Sequence, residues 1–320
     1  MRRVLFLLLV ATPFPAAAQY PSKPVRLVNP FTAGGPLDLM ARILSERLTT
    51  SLGRPVIVEN KPGAAGNVGA AEVARSAPDG HTVLLTLFSI VTSNPHLYAN
   101  LPFDPLKDFA PVVALARSDS VVVVHPSVPA SSVRELIAYA RANPGKVNYA
   151  SAGKASPGHL TAEYFVRQTG VQLTHVPYKG NAEAIRSVLS GETQLFFTPT
   201  TGALAQINAG KLKALAVYLT DRLDELPNVG SLESQGFHGF DQKSLPFWYG
   251  LVVPAGTPRE AIDRLNAEVN KVLKDAQVVP RLATARIFPI GGTPEEFGRL
   301  MREGHAAWGK VIRETGVKGE

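Results

Sequence analysis

No cysteine occurs among the 320 residues. That absence removes disulfide frameworks, thiolate metal sites, cysteine nucleophiles and a lipoprotein attachment point together. The seven histidines show neither an HExxH pattern nor a paired spacing that suits a metal. Asp104, Asp108 and Asp119 are separated by proline and apolar residues and make no calcium loop. Gly63-Ala64-Ala65-Gly66-Asn67-Val68-Gly69 lacks both the Gly-x-Gly start of a dinucleotide turn and the Gly-Lys-Ser/Thr ending of a P-loop. Its small residues suit close packing of a helix on a strand. Lysine and arginine are scattered singly, with no basic run interleaved with aromatics, so a nucleic-acid partner is not expected. No cofactor and no metal are called for.

Long apolar runs are also missing, apart from a short one at the start. Arg2-Arg3 precede Val4-Leu5-Phe6-Leu7-Leu8-Leu9-Val10, and Ala16-Ala17-Ala18 follow. This is the three-part pattern of a secretory signal peptide over residues 1–18, cut after Ala18, and its apolar core is too short to span a bilayer. The residues flanking the arginine pair do not support a twin-arginine signal. The mature chain is therefore expected to be exported and soluble; it is also expected to be a monomer. Without Arg2 and Arg3, 31 basic side chains face 26 acidic ones and the formal charge falls from +7 to +5. A mildly basic field of this kind suits small anions.

What remains alternates strand and helix. Val25–Val28, Val56–Val58 and Thr82–Thr86 read as strands, with helical spacing at Leu39, Ile43, Leu44, Leu48 and Leu52 and through Ala70–Ala74. Ser120–Val124, Val147–Ala150, Val171–Val176, Thr193–Phe197, Ala214–Tyr218 and Tyr249–Val253 continue the strands. Helices are expected from Ser132 to Asn143, from Pro157 to Gln168, through Ala182–Leu189 and through Leu204–Asn208. Ser132/Glu135, Thr257/Glu260 and Thr293/Glu296 have capping-box spacing. Apolar strands separated by helices argue for mostly parallel sheets flanked by helices. The fold class is α/β with two lobes: residues 19–124 plus 246–320 in lobe 1 and 125–245 in lobe 2.

Two turns stand out. Phe31-Thr32-Ala33-Gly34-Gly35-Pro36-Leu37-Asp38 joins a strand to a helix and places the amides of Ala33, Gly34 and Gly35 at the helix N-terminus. Unpaired N–H groups and the helix dipole favour an anion there. Asp38 then has two roles open to it: bracing the first turn, or holding a water or a ligand donor. Ser151-Ala152-Gly153-Lys154-Ala155-Ser156 has the same strand-to-helix setting, and the two turns together form a clamp of neutral donors. As a nucleophile, neither Ser151 nor Ser156 has the flanking glycines of an elbow. His159 nearby is more simply a satisfied structural histidine.

Several motifs resemble the substrate-binding proteins of tripartite tricarboxylate transporters, the Bug family of periplasmic solute receptors. They are Tyr20-Pro21-Ser22-Lys23-Pro24-Val25-Arg26, the Phe31–Asp38 turn with Pro30, Val58-Glu59-Asn60-Lys61-Pro62-Gly63-Ala64-Ala65-Gly66-Asn67 and Ala77-Pro78-Asp79-Gly80-His81-Thr82. Asn94-Pro95-His96-Leu97-Tyr98, Ser156-Pro157-Gly158-His159-Leu160 and Val176-Pro177-Tyr178-Lys179-Gly180 follow in order. The resemblance implies a Venus-flytrap receptor without catalytic activity, closing on a small organic carboxylate for integral-membrane permease subunits. It further implies that the loops matching Thr32–Asp38 and Ser151–Ser156 grip the carboxylate, while Leu87–Thr92 and Tyr178–Gly180 line the cleft. The expected ligand set is Phe31, Thr32, Ala33, Gly34, Gly35, Asp38, Phe88 and Ser89 from one lobe. Ser151, Ala152, Gly153, Ser156, Tyr178 and Thr198 supply it from the other.

One departure from the family bears on the ligand. Where relatives commonly carry an aspartate in a Met-Phe-Asp-like stretch, this chain has Leu195-Phe196-Phe197-Thr198-Pro199. Threonine cannot pair with an ammonium, which points to a plain mono- or dicarboxylate or an aromatic acid rather than an amino acid. Two other readings stay open at this level: a ligand-sensing subunit for a signalling kinase, and a serine hydrolase built on Ser151 or Ser156 with His159.

Overall fold

Two mixed sheets organise the chain in this computed structural model, which describes residues 20–319. The signal-peptide expectation for residues 1–18 lies outside the described residues. The chain opens with β1 (Val25–Asn29), α1 (Pro36–Leu52), β2 (Val56–Asn60), α2 (Asn67–Ala74) and β3 (Thr82–Leu87). Two short helices, α3 (Phe88–Thr92) and α4 (Asn94–Leu97), lead to β4 (Phe109–Ser118). The middle comprises β5 (Ser120–Val124), α5 (Val133–Ala142), β6 (Asn148–Ser151), α6 (Pro157–Thr169), β7 (Thr174–Pro177) and α7 (Asn181–Leu189). It continues with β8 (Leu195–Pro199), α8 (Thr200–Asn208) and β9 (Lys213–Tyr218). The last part holds β10 (Tyr249–Pro254), α9 (Arg259–Val272), α10 (Val278–Thr284), β11 (Ile287–Gly291) and α11 (Pro294–Thr315).

The first sheet has the order β11-β4-β10-β3-β1-β2 and the second β7-β6-β8-β5-β9. β1 pairs in parallel with β2 and β3, and β6 pairs in parallel with β7 and β8. The remaining pairings are antiparallel. β5 is buried at every position, as a strand covered on both faces must be. Its side chains alternate between two cores: Val122 and Val124 join the large cluster shared with the first sheet, whereas Val121 and Val123 face a smaller one under α7 and α8. The strand period of two produces that split.

The chain passes between the sheets at Asp119, and returns between β9 and β10. This corrects the expected boundary, since β5 pairs with β8 and β9 rather than lying in the first lobe. The polar break Ser118-Asp119-Ser120 marks the crossing, and the proline turn at Pro126 only ends β5. β4 is a ten-residue strand in a stretch for which the sequence reading names no element; Pro111 sits in it at a register shift opposite Val252. A proline in a strand is tolerated at such irregularities.

Local signals at helix starts mostly hold. Ser132 caps α5 by accepting from the Glu135 amide at 3.2 Å. Thr293 and Glu296 form a reciprocal capping box at α11. Thr257 does not cap α9; its hydroxyl turns back and donates to the Pro254 carbonyl at 2.7 Å, and Pro258 takes the cap position.

Candidate functional site

Helices α6, α7 and α8 follow the parallel strands β6, β7 and β8, so all three begin at the carboxyl edge of the second sheet. Ligands in open α/β sheets bind at that edge. α1 follows β1 in the same way in the first sheet. Gly35, Ser156, Gly180 and Pro199, which occupy the cap positions of these four helices, all line a single cleft of about 850 Å³. Each helix start presents unpaired amides and the equivalent of roughly half a positive charge. Asp38 carries the only charge among the described residues of the wall, which contains no lysine, arginine or histidine.

At the first turn, the wall takes Phe31, Thr32, Ala33, Gly34, Gly35 and Asp38. Gly34 adopts φ +91°, a conformation open to glycine at little cost. Asp38 is 5% exposed yet fully engaged. It accepts from the Gly34 amide at 3.1 Å, from Arg42 at 2.9 and 3.3 Å, and from the Asn60 amide at 3.4 Å. The Arg42 guanidinium holds its carboxyl below the usual carboxylate range, against the opposing effect of burial. Asp38 is thus the brace of the turn. The Gly34 amide, expected to face an anion, is engaged by that brace. The Ala33 and Gly35 amides take no partner among the described residues.

The second turn contributes Ala152 and Ser156 to the wall, but not Ser151 or Gly153. Ser151 is fully buried; its hydroxyl donates to the Gly153 carbonyl at 2.9 Å and accepts the Gly153 amide at 3.2 Å. Ser156 accepts the His159 amide at 3.4 Å and so caps α6. The His159 ring faces the Ala155 amide at 2.9 Å instead of the Ser156 hydroxyl. Close approach also shapes this helix start: a Cβ on Gly158 would lie 2.4 Å from the Phe197 carbonyl oxygen, so only glycine lets α6 sit against β8 here.

Thr198 reaches the wall, its hydroxyl making one long contact, 3.4 Å, to the Pro199 carbonyl. Tyr178 does not; its hydroxyl donates to Glu192 at 3.0 Å, and its neighbours Gly180, Asn181 and Ala182 line the cleft instead. Phe88 and Ser89 are also absent from the wall, although Leu87 is on it. The segment after Leu87 is the helix α3, which turns Phe88 inward against Phe247 at 4.7 Å and Trp308 at 5.3 Å.

Sequence reasoning missed Tyr218, Leu245, Phe247, Tyr249 and Trp308, which also line the cleft. Trp308 arrives on α11, which packs on β4 and α3 and also reaches α6. None of these residues stands in a motif, and each looks like ordinary core in its own segment. Among the described residues no group of three or more His, Asp or Glu is placed to hold a metal, and no helix is long and apolar enough to cross a membrane.

Residues 40–317 match the tripartite tricarboxylate transporter family receptor. The chain is similar to BugT of Bordetella pertussis, with 33% identity over 304 residues that span 95% of this chain and 92% of that protein. Its structure is similar to that of Rpa4515 from Rhodopseudomonas palustris with adipate, at TM-score 0.82 and 32% identity, covering 94% of this chain and 100% of that one. MatC from the same species with bound malate gives TM-score 0.78 and 28% identity, over 92% of this chain and 100% of that one. The motifs, the two-sheet fold and these similarities agree, and the chain belongs to the tripartite tricarboxylate transporter receptor family, a solute-binding family that includes the Bug proteins.

Proposed function

We propose that the protein is a periplasmic receptor that takes up a small organic carboxylate in the cleft between its two sheets and delivers it to the membrane subunits of a tripartite tricarboxylate-type transporter. One observation carries this reading: four helix starts from two sheets open on one cleft whose wall has no cationic side chain. A carboxylate leaving water must have its charge met by hydrogen bonds, because desolvation otherwise costs several kcal/mol. Main-chain amides at helix starts supply those bonds, and the hydroxyls of Thr32 and Ser156 add to them. The ligands of the two neighbours, adipate and malate, are carboxylates as well. Lobe closure is a hinge motion at Asp119 and between β9 and β10.

The same wall favours an acid that carries no ammonium. Its one carboxylate already accepts from Arg42, Asn60 and Gly34, and Thr198 offers only a hydroxyl. Calorimetry and thermal shift with adipate, malate, benzoate, their neutral amides and 2-aminoadipate test both parts. At least one plain acid is expected to bind and raise the melting temperature, by about 2.7 kcal/mol of stabilisation at a hundredfold excess over Kd. Its amide is expected to be inert, and 2-aminoadipate weaker than adipate. Equal binding of acid and amide, or no binding by any acid, contradicts the receptor reading.

A further inference from the structure

Behind the second turn lies a cluster of titratable side chains that the cleft wall does not use. The rings of His159 and His175 stack with centroids 3.8 Å apart and planes 7° apart. Tyr149 stacks against His175 at 4.9 Å and donates its hydroxyl to Glu163. The polar edges of this stack meet the turn. His159 Nδ1 accepts the Ala155 amide at 2.9 Å, which leaves the ring proton on Nε2, 3.9 Å from Glu163. His175 Nε2 lies 2.6 Å from the Ser151 hydroxyl. With that nitrogen protonated, Ser151 donates to the Gly153 carbonyl and accepts the Gly153 amide, and all three contacts are satisfied together.

The backbone held this way is not relaxed. Ala155 adopts φ +59°, a left-handed conformation that strains any residue with a Cβ. It persists where surrounding contacts over-determine it. Here the contacts are the His159 acceptor and the Ser156 amide bonded to the Gly153 carbonyl at 3.2 Å. Only Ala152 and Ser156 of this turn then show on the wall.

From this geometry we infer that His159 and His175 are positioning residues for ligand capture: stacked behind the turn, they fix the backbone of Ser151–Ser156 so that Ala152, Ser156 and the start of α6 face the cleft. The assignment rests on the cleft being the carboxylate site. Burial keeps the pair neutral at ordinary pH, holding His159 down to about 3 and His175 to about 4, with the nearby Lys154 acting in the same direction.

Two substitutions separate positioning from plain packing. His159→Leu removes the acceptor, whereas His159→Asn returns an oxygen close to the place of Nδ1. Amide exchange of the ligand-free protein reads the turn directly, and affinity for the tightest acid of the panel above reads capture. In His159→Leu, exchange over residues 151–157 is expected to rise and affinity to fall, each by roughly tenfold, as for one buried amide left without a partner. His159→Asn recovers most of both, and residues 31–38 exchange as in the parent in either variant. Parent-like exchange and affinity in His159→Leu overturns the inference, and so does His159→Asn behaving like His159→Leu. Should His159→Leu loosen the whole chain, Ser151→Ala removes the His175 anchor with little change of volume. It is then expected to speed exchange at Gly153 and weaken binding severalfold, and parent-like values overturn the inference. If the parent binds no acid, the receptor reading fails, while unchanged exchange in both variants counts against the brace itself.

Discussion

Both turns that open on the cleft join a strand to a helix, but the turn at Phe31–Asp38 is braced by a carboxylate and the turn at Ser151–Ser156 by imidazoles. In the first, Asp38 lies on the wall itself, and its charge is compatible with an anion site only because Arg42, Asn60 and Gly34 occupy its oxygens. In the second, the brace lies behind the wall and is neutral. The first solution uses an amide of the turn, that of Gly34; the second leaves the start of α6 to a serine cap and directs its strain to Ala155. An anion site made of backbone amides therefore needs its supporting polar groups either saturated or uncharged.

The comparison breaks most severely at Gly158. Gly158→Ala places a Cβ against the Phe197 carbonyl, and neither backbone can yield cheaply. A loss of about 1–3 kcal/mol is expected from such overpacking, with ligand binding abolished and the Asp38 brace intact. Denaturant titration and calorimetry check both. Asp38→Ala attacks the other turn, leaving the Gly34 and Asn60 donors without their acceptor. About 1–3 kcal/mol is expected for such a buried loss, with binding weakened as Gly34 relaxes.

The pH responses sharpen the contrast. The carboxyl of Asp38 is depressed in the folded chain from 3.8, so its contribution is in place above that value and is lost as pH falls through the folded value. His159 and His175 are also depressed, from 6.5 to about 3 and about 4. The unfolded chain then takes up protons first. Stability contributed by the second turn is complete above pH 6.5 and declines as pH falls towards those folded values. Melting temperature followed from pH 7 to 4 is expected to drop less in His159→Asn than in the parent; equal slopes contradict the neutral stack. The smallest effect belongs to Arg42→Gln. The Arg42 side chain is exposed, so water screens its half of the pair with the buried Asp38, and glutamine keeps a donor beside the carboxylate. The melting temperature is expected to move less than in Asp38→Ala, and an equal drop contradicts the saturated-carboxylate account.

What was legible in the sequence was local. Gly34-Gly35-Pro36 before an apolar-periodic helix, Ser156-Pro157 before another, and the Thr293 capping box each declare themselves within a few residues, because caps and turns are set by neighbours. The crossing at Asp119 was misplaced because its polar break is shorter than the proline turn that follows β5. β4 was hidden by Pro111. Phe88 and Ser89 lie on α3 and are absent from the wall, and Tyr218, Phe247, Tyr249 and Trp308 carry no signal in the sequence. They come from separate segments and meet only once both sheets and α11 are packed, so their role depends on contacts far apart in the chain. The engagement of Gly34 by Asp38 was invisible for a similar reason: the spacing allowed several roles, and Asn60 and Arg42 select one.

The central claim is that backbone amides at helix starts, not a lysine or arginine, hold the ligand's charge. A crystal structure of the protein with a carboxylate bound tests it most directly. Carboxylate oxygens are expected at roughly 2.7–3.2 Å from main-chain amides at the start of α1 and of at least one of α6, α7 and α8, with Asp38 still on Arg42. A carboxylate paired with a lysine or arginine side chain, or bound away from these four helix starts, would contradict it.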